Sequence, residues 1–334
     1  MLDERKAAIL SAVVQRYIET AQPVGSSHIV ESTGIGVSSA TVRNEMTLLE
    51  REGYLTQPHT SAGRVPTEKG YRFFVDQLGG PGELGASQVR QIRAFFSHAH
   101  GEIEQMLRET SQLLSKLTAT TAVVVGEAGE RATVRSAQLV GLGPRTFLAV
   151  VVLSTGSVIK RTIEWSREVD DAQLAAATAH LAAHLVGRQL GDLGTPAPTG
   201  TAGVDEVVSG AMVAIEAASH EESRHVYVDG ASHIAGALEA RETLQDVLVM
   251  LEQQLTIVTL LEDVLNRGLS VAIGSETGFA PLAECAVVVA PYDVGGEHAG
   301  TIGVLGPARM NYPEALAAVA TVSRRLSRAL TEGD

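Results

Sequence analysis

The stretch SSATVRNEMTLLEREGYLTQPHTSAGR, from Ser38 to Arg64, constrains the fold more than any other part of the chain. Ser38 or Ser39 can cap a helix, because a short hydroxyl side chain accepts from the free N–H groups of the first turn. Val42, Met46 and Leu49 then fall on one side, the spacing of a buried stripe. Gly53 stands just past the end, where a helix favours a residue that turns left-handed without strain. Tyr54–Gln57 then reads as a strand, Arg64–Pro66 as its partner, and PHTSAG as the turn between them. A helix that runs straight into a hairpin leaves two neighbouring projections, a helix face and a turn of small polar residues.

The residues around this stretch complete a small domain. Asp3–Thr20, with Leu2 just before it, carries Ile9, Leu10, Val13, Val14 and Tyr17 on one apolar stripe, which predicts a first helix. Pro23 closes it off. Ser26 or Ser27 caps a short second helix, SHIVEST, with Val24 as its apolar staple. Gly34 and Gly36 supply the turn before the third helix. Thr67 caps a fourth, EKGYRFFVDQL, in which Tyr71, Phe74 and Leu78 pack inward while Lys69 and Arg72 stay exposed. Three helices with a short turn before the third, followed by a two-stranded hairpin, is the order of a winged helix-turn-helix.

The outward side of the third helix carries Ala40, Asn44, Thr47 and Arg51, with Arg43 on its flank. In a DNA major groove Asn pairs bidentately with adenine and Arg with guanine, and Ala or Thr methyls meet a thymine methyl. An ordinary solvated face would need none of these. In the turn, small residues allow the backbone close to a phosphate ridge, and Thr60 and Ser61 offer hydroxyls. Arg64 can bind phosphate or enter a minor groove, so its loss is expected to flatten the salt dependence of binding. His59 is either a further contact or a plain surface histidine. Lys69 and Arg72 are available to phosphate.

GGPGELGAS (Gly79–Ser87) packs Gly and Pro between two helical patterns and reads as a linker. It divides a DNA-binding domain, 1–80, from the remainder, 81–334. There Ser87–Leu117 is helical, and TTAVVVGE, SAQLVGLG, TFLAVVVLS and SVIKRTIEW are strands. Asp170–Gly191 and Val204–Ser219 are helices on either side of a Pro/Gly/Thr loop, and RHVYVDG is a strand. Leu244–Asn266 reads as one helix, with Leu244, Leu248, Leu251, Leu255, Val258 and Leu265 on a stripe that suits either a core or a seam between subunits. LSVAIGSE, CAVVVAPY and AGTIGVLGP are strands, and Tyr312–Leu330 is a closing helix with Pro313 in its first turn. The class is α+β: a sheet domain interrupted by a mainly helical insertion.

The net charge of −13 argues against nucleic acid only if it is spread evenly. Residues 1–80 hold 8 Lys+Arg against 9 Asp+Glu, while the remaining 18 basic and 30 acidic residues follow them. The acidity therefore sits outside the first domain. Cys285 is the single cysteine, which excludes an intrachain disulfide and fits a reducing cytoplasm. No targeting segment and no apolar run long enough to span a bilayer is evident, so a cytoplasmic, non-membrane protein is expected.

Catalytic motifs are missing: there is no Gly-Lys pair for a phosphate loop, no GxSxG and no HExxH. His180 and His184 sit four apart on a helix, a spacing compatible with a metal, but no third ligand accompanies them. GGEHAG and GVLGP read as tight turns, and Cys285, before a run of valines, as an inert buried thiol. No enzyme, cofactor or metal is expected.

VSSATVRNEMTLLEREGYLTQPHTSAGRVPTEKGYRFFVDQL resembles the N-terminal signature of the HrcA family of heat-inducible transcription repressors. AIGSETG and AVVVAPYDVGGEHAGTIGVLGPARMNYPEALAAV continue the resemblance over nearly the whole chain. It implies a winged helix-turn-helix followed by a GAF-like α/β domain, with a dimerisation domain inserted at roughly 164–240. It also implies a homodimer on a double-stranded inverted-repeat operator called CIRCE, repression of chaperone operons, and the chaperonin GroEL as the partner that keeps the repressor active. Its DNA contacts fall on the helix around Ser39–Arg51, which includes Ser39, Ala40, Thr41, Arg43, Asn44 and Thr47, and on the turn around His59–Arg64. A repressor controlled by a small ligand in the GAF-like domain is the alternative.

Overall fold

A computed structural model of the protein describes residues 2–33, 37–59, 62–98, 103–126, 133–154, 158–222, 225–238, 241–268 and 270–332. The chain is mixed α and β and separates into two compact units. One comprises Met1–His100, Met106–Val124 and Tyr227–Asp334; the other Gly101–Gln105 and Val125–Val226.

The first unit begins with α1 (Glu4–Thr20), α2 (Ser26–Thr33), α3 (Ser39–Arg51), β1 (Leu55–Thr56), β2 (Val65–Pro66) and α4 (Glu68–Asp76). Asp3 caps α1 by accepting the Lys6 N–H at 2.8 Å. α2 starts at Ser26 itself. Ile9, Leu10, Val13 and Val14 of α1, Ile29 of α2, and Val42, Met46 and Leu49 of α3 are buried together with Leu55, Tyr71 and Phe74. These are the stripes that the sequence predicts for α1 and α3; in α4, which ends at Asp76, Tyr71 and Phe74 are buried as expected, while Leu78 falls past the helix and is half-buried. Gly34 and Gly36 lie outside the described residues.

The unit continues with α5 (Ala86–His98) and α6 (Ile103–Thr118). The linker lies two residues earlier than expected, because α4 ends at Asp76. α5 already begins at Ala86, and the Gly82 N–H donates to the Pro313 carbonyl at 3.1 Å, which pins the segment down.

β3 (Thr121–Gly126) leads into the second unit, formed by β4 (Val134–Gly143), β5 (Thr146–Leu153), β6 (Val158–Glu164), α7 (Asp171–Leu185) and α8 (Ala202–Glu222). β4, β5 and β6 form an antiparallel sheet in that order. Burial alternates along β5, so one face is packed. Phe147, Val151, Leu181, Leu185, Val207, Ala211 and Ile215 form its core. Asp170 and Gln173 close a capping box on α7. α7 stops at Leu185, short of the predicted Gly191, because the chain turns there to pair with β4: the Gly187 N–H donates to the Val134 carbonyl and the Val134 N–H to that of Arg188. Of the expected insertion, 164–226 belong to this unit, together with Gly101–Gln105 and 125–163, while 227–240 belong to the first unit.

β7 (His225–Asp229) leads back to the first unit, followed by α9 (Ala231–Ala237), α10 (Arg241–Glu252), α11 (Gln254–Asn266), β8 (Val271–Ile273), two 3-10 turns (Gly274–Thr277 and Ala280–Leu282), β9 (Cys285–Val294), β10 (Glu297–Pro307) and α12 (Tyr312–Glu332). The five-stranded sheet runs β7-β3-β10-β9-β8. Cys285–Val289 are buried at consecutive positions, so both faces of β9 are covered. β9 and β10 are antiparallel and joined through Gly295 and Gly296, both at positive φ, as the tightest hairpin turn requires.

The single helix expected over Leu244–Asn266 is two. Gln253 takes φ −91 and ψ 91, outside the helical region. The break lets each half bury its own stripe: Val247, Met250 and Leu251 in α10, and Ile257, Val258, Leu260, Leu261 and Val264 in α11. Of the expected stripe, Leu251 and Val258 are buried, Leu244, Leu248 and Leu265 are half-buried, and the Leu255 side chain lies outside the described residues.

Candidate nucleic-acid interface

The exposed side of α3 is held firmly from behind. Ser38 caps the helix, its Oγ accepting the Thr41 N–H at 3.2 Å. Gly53, at φ +80, follows the last turn as the sequence requires. Behind the helix lie the buried Val42, Met46 and Leu49; in front lie the exposed Ala40, Arg43, Asn44 and Arg51. Among the described residues, the Arg43 and Asn44 side chains have no hydrogen-bond or ion-pair partner. The Thr47 hydroxyl donates to the Arg43 carbonyl at 3.0 Å and keeps its methyl as its free chemistry. Thr41 shares a hydrogen bond with Ser38 at 2.9 Å. Ser39 is turned inward, its hydroxyl 2.9 Å from that of Ser26 on α2.

β1 and β2 pair antiparallel, Leu55 with Pro66 and Thr56 with Val65. The predicted partner strand is shorter by Arg64, which bridges to Val24 ahead of α2 instead: each donates its N–H to the other's carbonyl at 2.9 Å. The close approach depends on Gly63, where a Cβ would run into the Val24 backbone. Across the turn, the Ala62 N–H donates to the His59 carbonyl at 2.9 Å and the Gln57 amide to the Ala62 carbonyl at 3.0 Å. His59 is exposed. Thr60 and Ser61 lie outside the described residues.

The cations of this segment differ from the sequence expectation. Arg64 is not free: its Nε and Nη2 both lie 2.9 Å from Glu50 Oε2, and its side chain is 17% exposed. Lys69 is exposed, but its amine donates to the Glu52 carbonyl at 2.8 Å and lies 4.2 Å from the Tyr54 ring centroid. Arg72, expected to face solvent, faces the protein. Its Nε donates to Glu276 Oε1 at 2.8 Å and its Nη2 to the Val271 carbonyl at 2.7 Å, while Nη1 lies 3.3 Å from Asp76. Burial alone would lower its pKa; Glu276 and Asp76 outweigh that and hold it above the ordinary value. Among the described residues of α3, the wing and α4, the cations without a partner are thus on α3, at Arg43 and Arg51. Gln57, Glu50 and the Val24 bridge carry no sequence signal, because each acts through a partner brought close by folding.

The other candidate sites are occupied by structural duties. His180 and His184 place Nε2 at 2.7 Å from the Ala197 carbonyl and 2.8 Å from the Leu193 carbonyl, which fastens the loop after α7 to that helix. Burial pushes the Cys285 thiol up to about 12, leaving it protonated. Among the described residues no helix is long and apolar enough to cross a membrane.

The chain is similar to known proteins over its whole length. The family description "HrcA protein C terminal domain" matches residues 104–316. Over 338 residues the chain is 38% identical to the heat-inducible transcription repressor HrcA of Nocardioides sp., covering 100% of both. It is 39% identical over 338 residues, 99% of each, to the protein of that name from Arthrobacter sp.. A crystal structure of a hypothetical protein shares the fold over 100% of both chains, with a TM-score of 0.66 at 24% identity.

Proposed function

The chain belongs to the HrcA family of heat-inducible transcription repressors, and on that premise we propose that it represses chaperone operons by binding a CIRCE-type inverted repeat as a homodimer. α1–α4 with the β1–β2 hairpin form the winged helix-turn-helix, the five-stranded sheet is the GAF-like domain, and the unit Val125–Val226 carries the dimerisation role. The observation that carries the reading is the α3 face, where a capped and buried helix presents Ala40, Arg43, Asn44, Thr47 and Arg51 outward, with Arg43 and Asn44 unengaged. Arg43 and Asn44 read base edges, and the Thr47 methyl and Ala40 meet thymine. Ser39 and Thr41 act at the helix start, where backbone N–H groups face phosphate. His59, Thr60 and Ser61 supply contacts to the DNA phosphate backbone.

A single winged domain offers few base contacts. Two copies about a two-fold axis match a palindrome and add their contacts. In this reading GroEL holds the dimer in its binding-competent form, and heat-shock clients divert the chaperonin. The test is binding of the purified protein to a labelled CIRCE-type repeat and to a scrambled duplex, over a salt series, with and without GroEL. A preference for the repeat that GroEL raises is expected. Equal affinity for both duplexes, from folded dimer, overturns the repressor mechanism.

One observation favours a second reading, control by a small ligand. A cavity of about 420 Å³ is lined by Arg72, Val75 and Asp76 of α4, Ser270 and Val271 at the start of β8, and Val319 of α12. A rise in Tm with a small compound carrying both polar and apolar groups, together with operator binding indifferent to GroEL, would select it.

A further inference from the structure

Parts of two stretches that carry the family resemblance, TSAGRVPTEKGYR and AIGSETG, meet in the first unit. Glu68 and Arg72 lie one helical turn apart on α4 and both reach the 3-10 turn after β8. The Ser275 N–H donates to Glu68 Oε1 at 3.2 Å, and the Ser275 hydroxyl to Glu68 Oε2 at 2.6 Å. Arg72 grips both Glu276 carboxylate oxygens and the Val271 carbonyl. Glu276 is itself held in place, accepting the Ile273 N–H at 2.9 Å. Gly274, at φ +51, leaves the space that Glu68 enters; a Cβ there would collide with the Glu68 carboxylate. Beside these contacts Tyr71 of α4 packs on Tyr312, with ring centroids 6.1 Å apart.

The arrangement spends charge on placement. Arg72 could have served as a phosphate contact, yet its guanidinium is divided among a sheet-edge carbonyl and two carboxylates. A bidentate Arg–carboxylate pair adds directional fixation, because the fork and the carboxylate must be coplanar. β8 is an edge strand of the five-stranded sheet, so the contact joins the last helix of the DNA-binding segment to the rim of the core.

We propose that Glu68 and Arg72, gripping Ser275 and Glu276, are positioning residues that fix the reading head on the sheet and thereby set which operator spacing the repressor accepts. The inference rests on the inverted-repeat reading above. A two-fold dimer measures the distance between half-sites only as accurately as each head is held. A head freed from the core still reads its own half-site and tolerates a wrong spacing.

The experiment uses the full-length protein with Arg72→Met, which keeps an apolar stem, and Glu276→Gln, which keeps the acceptor for the Ile273 N–H. Four duplexes are compared: the repeat, the same repeat with its spacer lengthened by about five base pairs, or half a turn, a single half-site, and a scrambled duplex. Hydrogen exchange of residues 68–76 and 271–277 reports the joint without DNA. Wild type is expected to discriminate strongly between spacings. Both variants should exchange faster at the joint, bind the half-site as wild type does, and lose discrimination by on the order of tenfold. Faster exchange with unchanged discrimination overturns the positioning role. Unchanged exchange in both variants overturns the joint itself. Wild type that does not prefer the repeat to a scrambled duplex sinks the operator reading and the positioning role with it, while faster exchange in the variants would still identify the joint.

Discussion

Arg43, Asn44 and Arg51 differ from their other polar neighbours because nothing among the described residues occupies their side chains. In the operator reading, Arg43→Ala and Asn44→Ala should each cost about 1–3 kcal/mol of discrimination between operator and random duplex. A competition assay measures it, and an equal loss on both duplexes would argue against base reading. Arg64 now leads to the opposite of its sequence expectation. Held by Glu50 and bridged to Val24, it braces the hairpin, so Arg64→Ala should speed hydrogen exchange in β1 and β2 and leave the salt slope of DNA binding unchanged. A slope reduced by about one would instead return it to phosphate. Cys285 follows from burial alone. The thiolate is the reactive form, so iodoacetamide should leave the folded protein unmodified at about pH 8, near the ordinary thiol pKa, and label it fully after denaturation. The same shift has a stability sign: the folded thiol keeps its proton up to about 12. Its contribution is therefore complete below about pH 8.5, where the unfolded thiol starts to ionise, and is lost as pH rises from there towards the folded value.

At the scale of elements, caps and close approaches can be ranked. Ser38 supplies one hydrogen bond to the first turn of α3, and Ser38→Ala should cost about 1 kcal/mol. Gly63 sits where any Cβ meets the Val24 backbone. The backbone can yield less easily than a side chain, so Gly63→Ala should cost about 1–3 kcal/mol. Thermal unfolding of both variants tests the order; a smaller shift for Gly63→Ala would mean that the bridge to Val24 relaxes freely. The caps at Ser38 and Thr67 and the turn at Gly53 were legible in the sequence because each is decided within three or four residues. The break at Gln253 was not. No proline or glycine marks it, and it follows from α10 packing on α9 and the Ala280–Leu282 turn while α11 packs on β9 and β10.

At the scale of the whole molecule, Trp165 offers a selective probe. It is the single tryptophan, and it packs in the second unit against Gly210, where a Cβ would lie 2.5 Å from the indole ring. Gly210→Ala should therefore lower the unfolding transition seen by tryptophan fluorescence by about 1–3 kcal/mol. Binding to a single operator half-site, which the first unit performs in the proposed reading, should not change. Loss of half-site binding would show that the reading head needs the second unit's integrity. The chain's own pattern was enough to determine the four N-terminal helices, the hairpin, most of the later strands, the buried stripes of α1 and α3 and the family. Periodicity and capping are local, and the family motifs are read directly. Only the tertiary structure decided which charges remain available. Arg72 meets a carboxylate 204 residues away in sequence, and Arg64 meets Glu50 only because the hairpin folds back on α3. An arginine's role depends on the nearest acceptor after folding. That is set by how sheet and helices pack, and no local pattern encodes it.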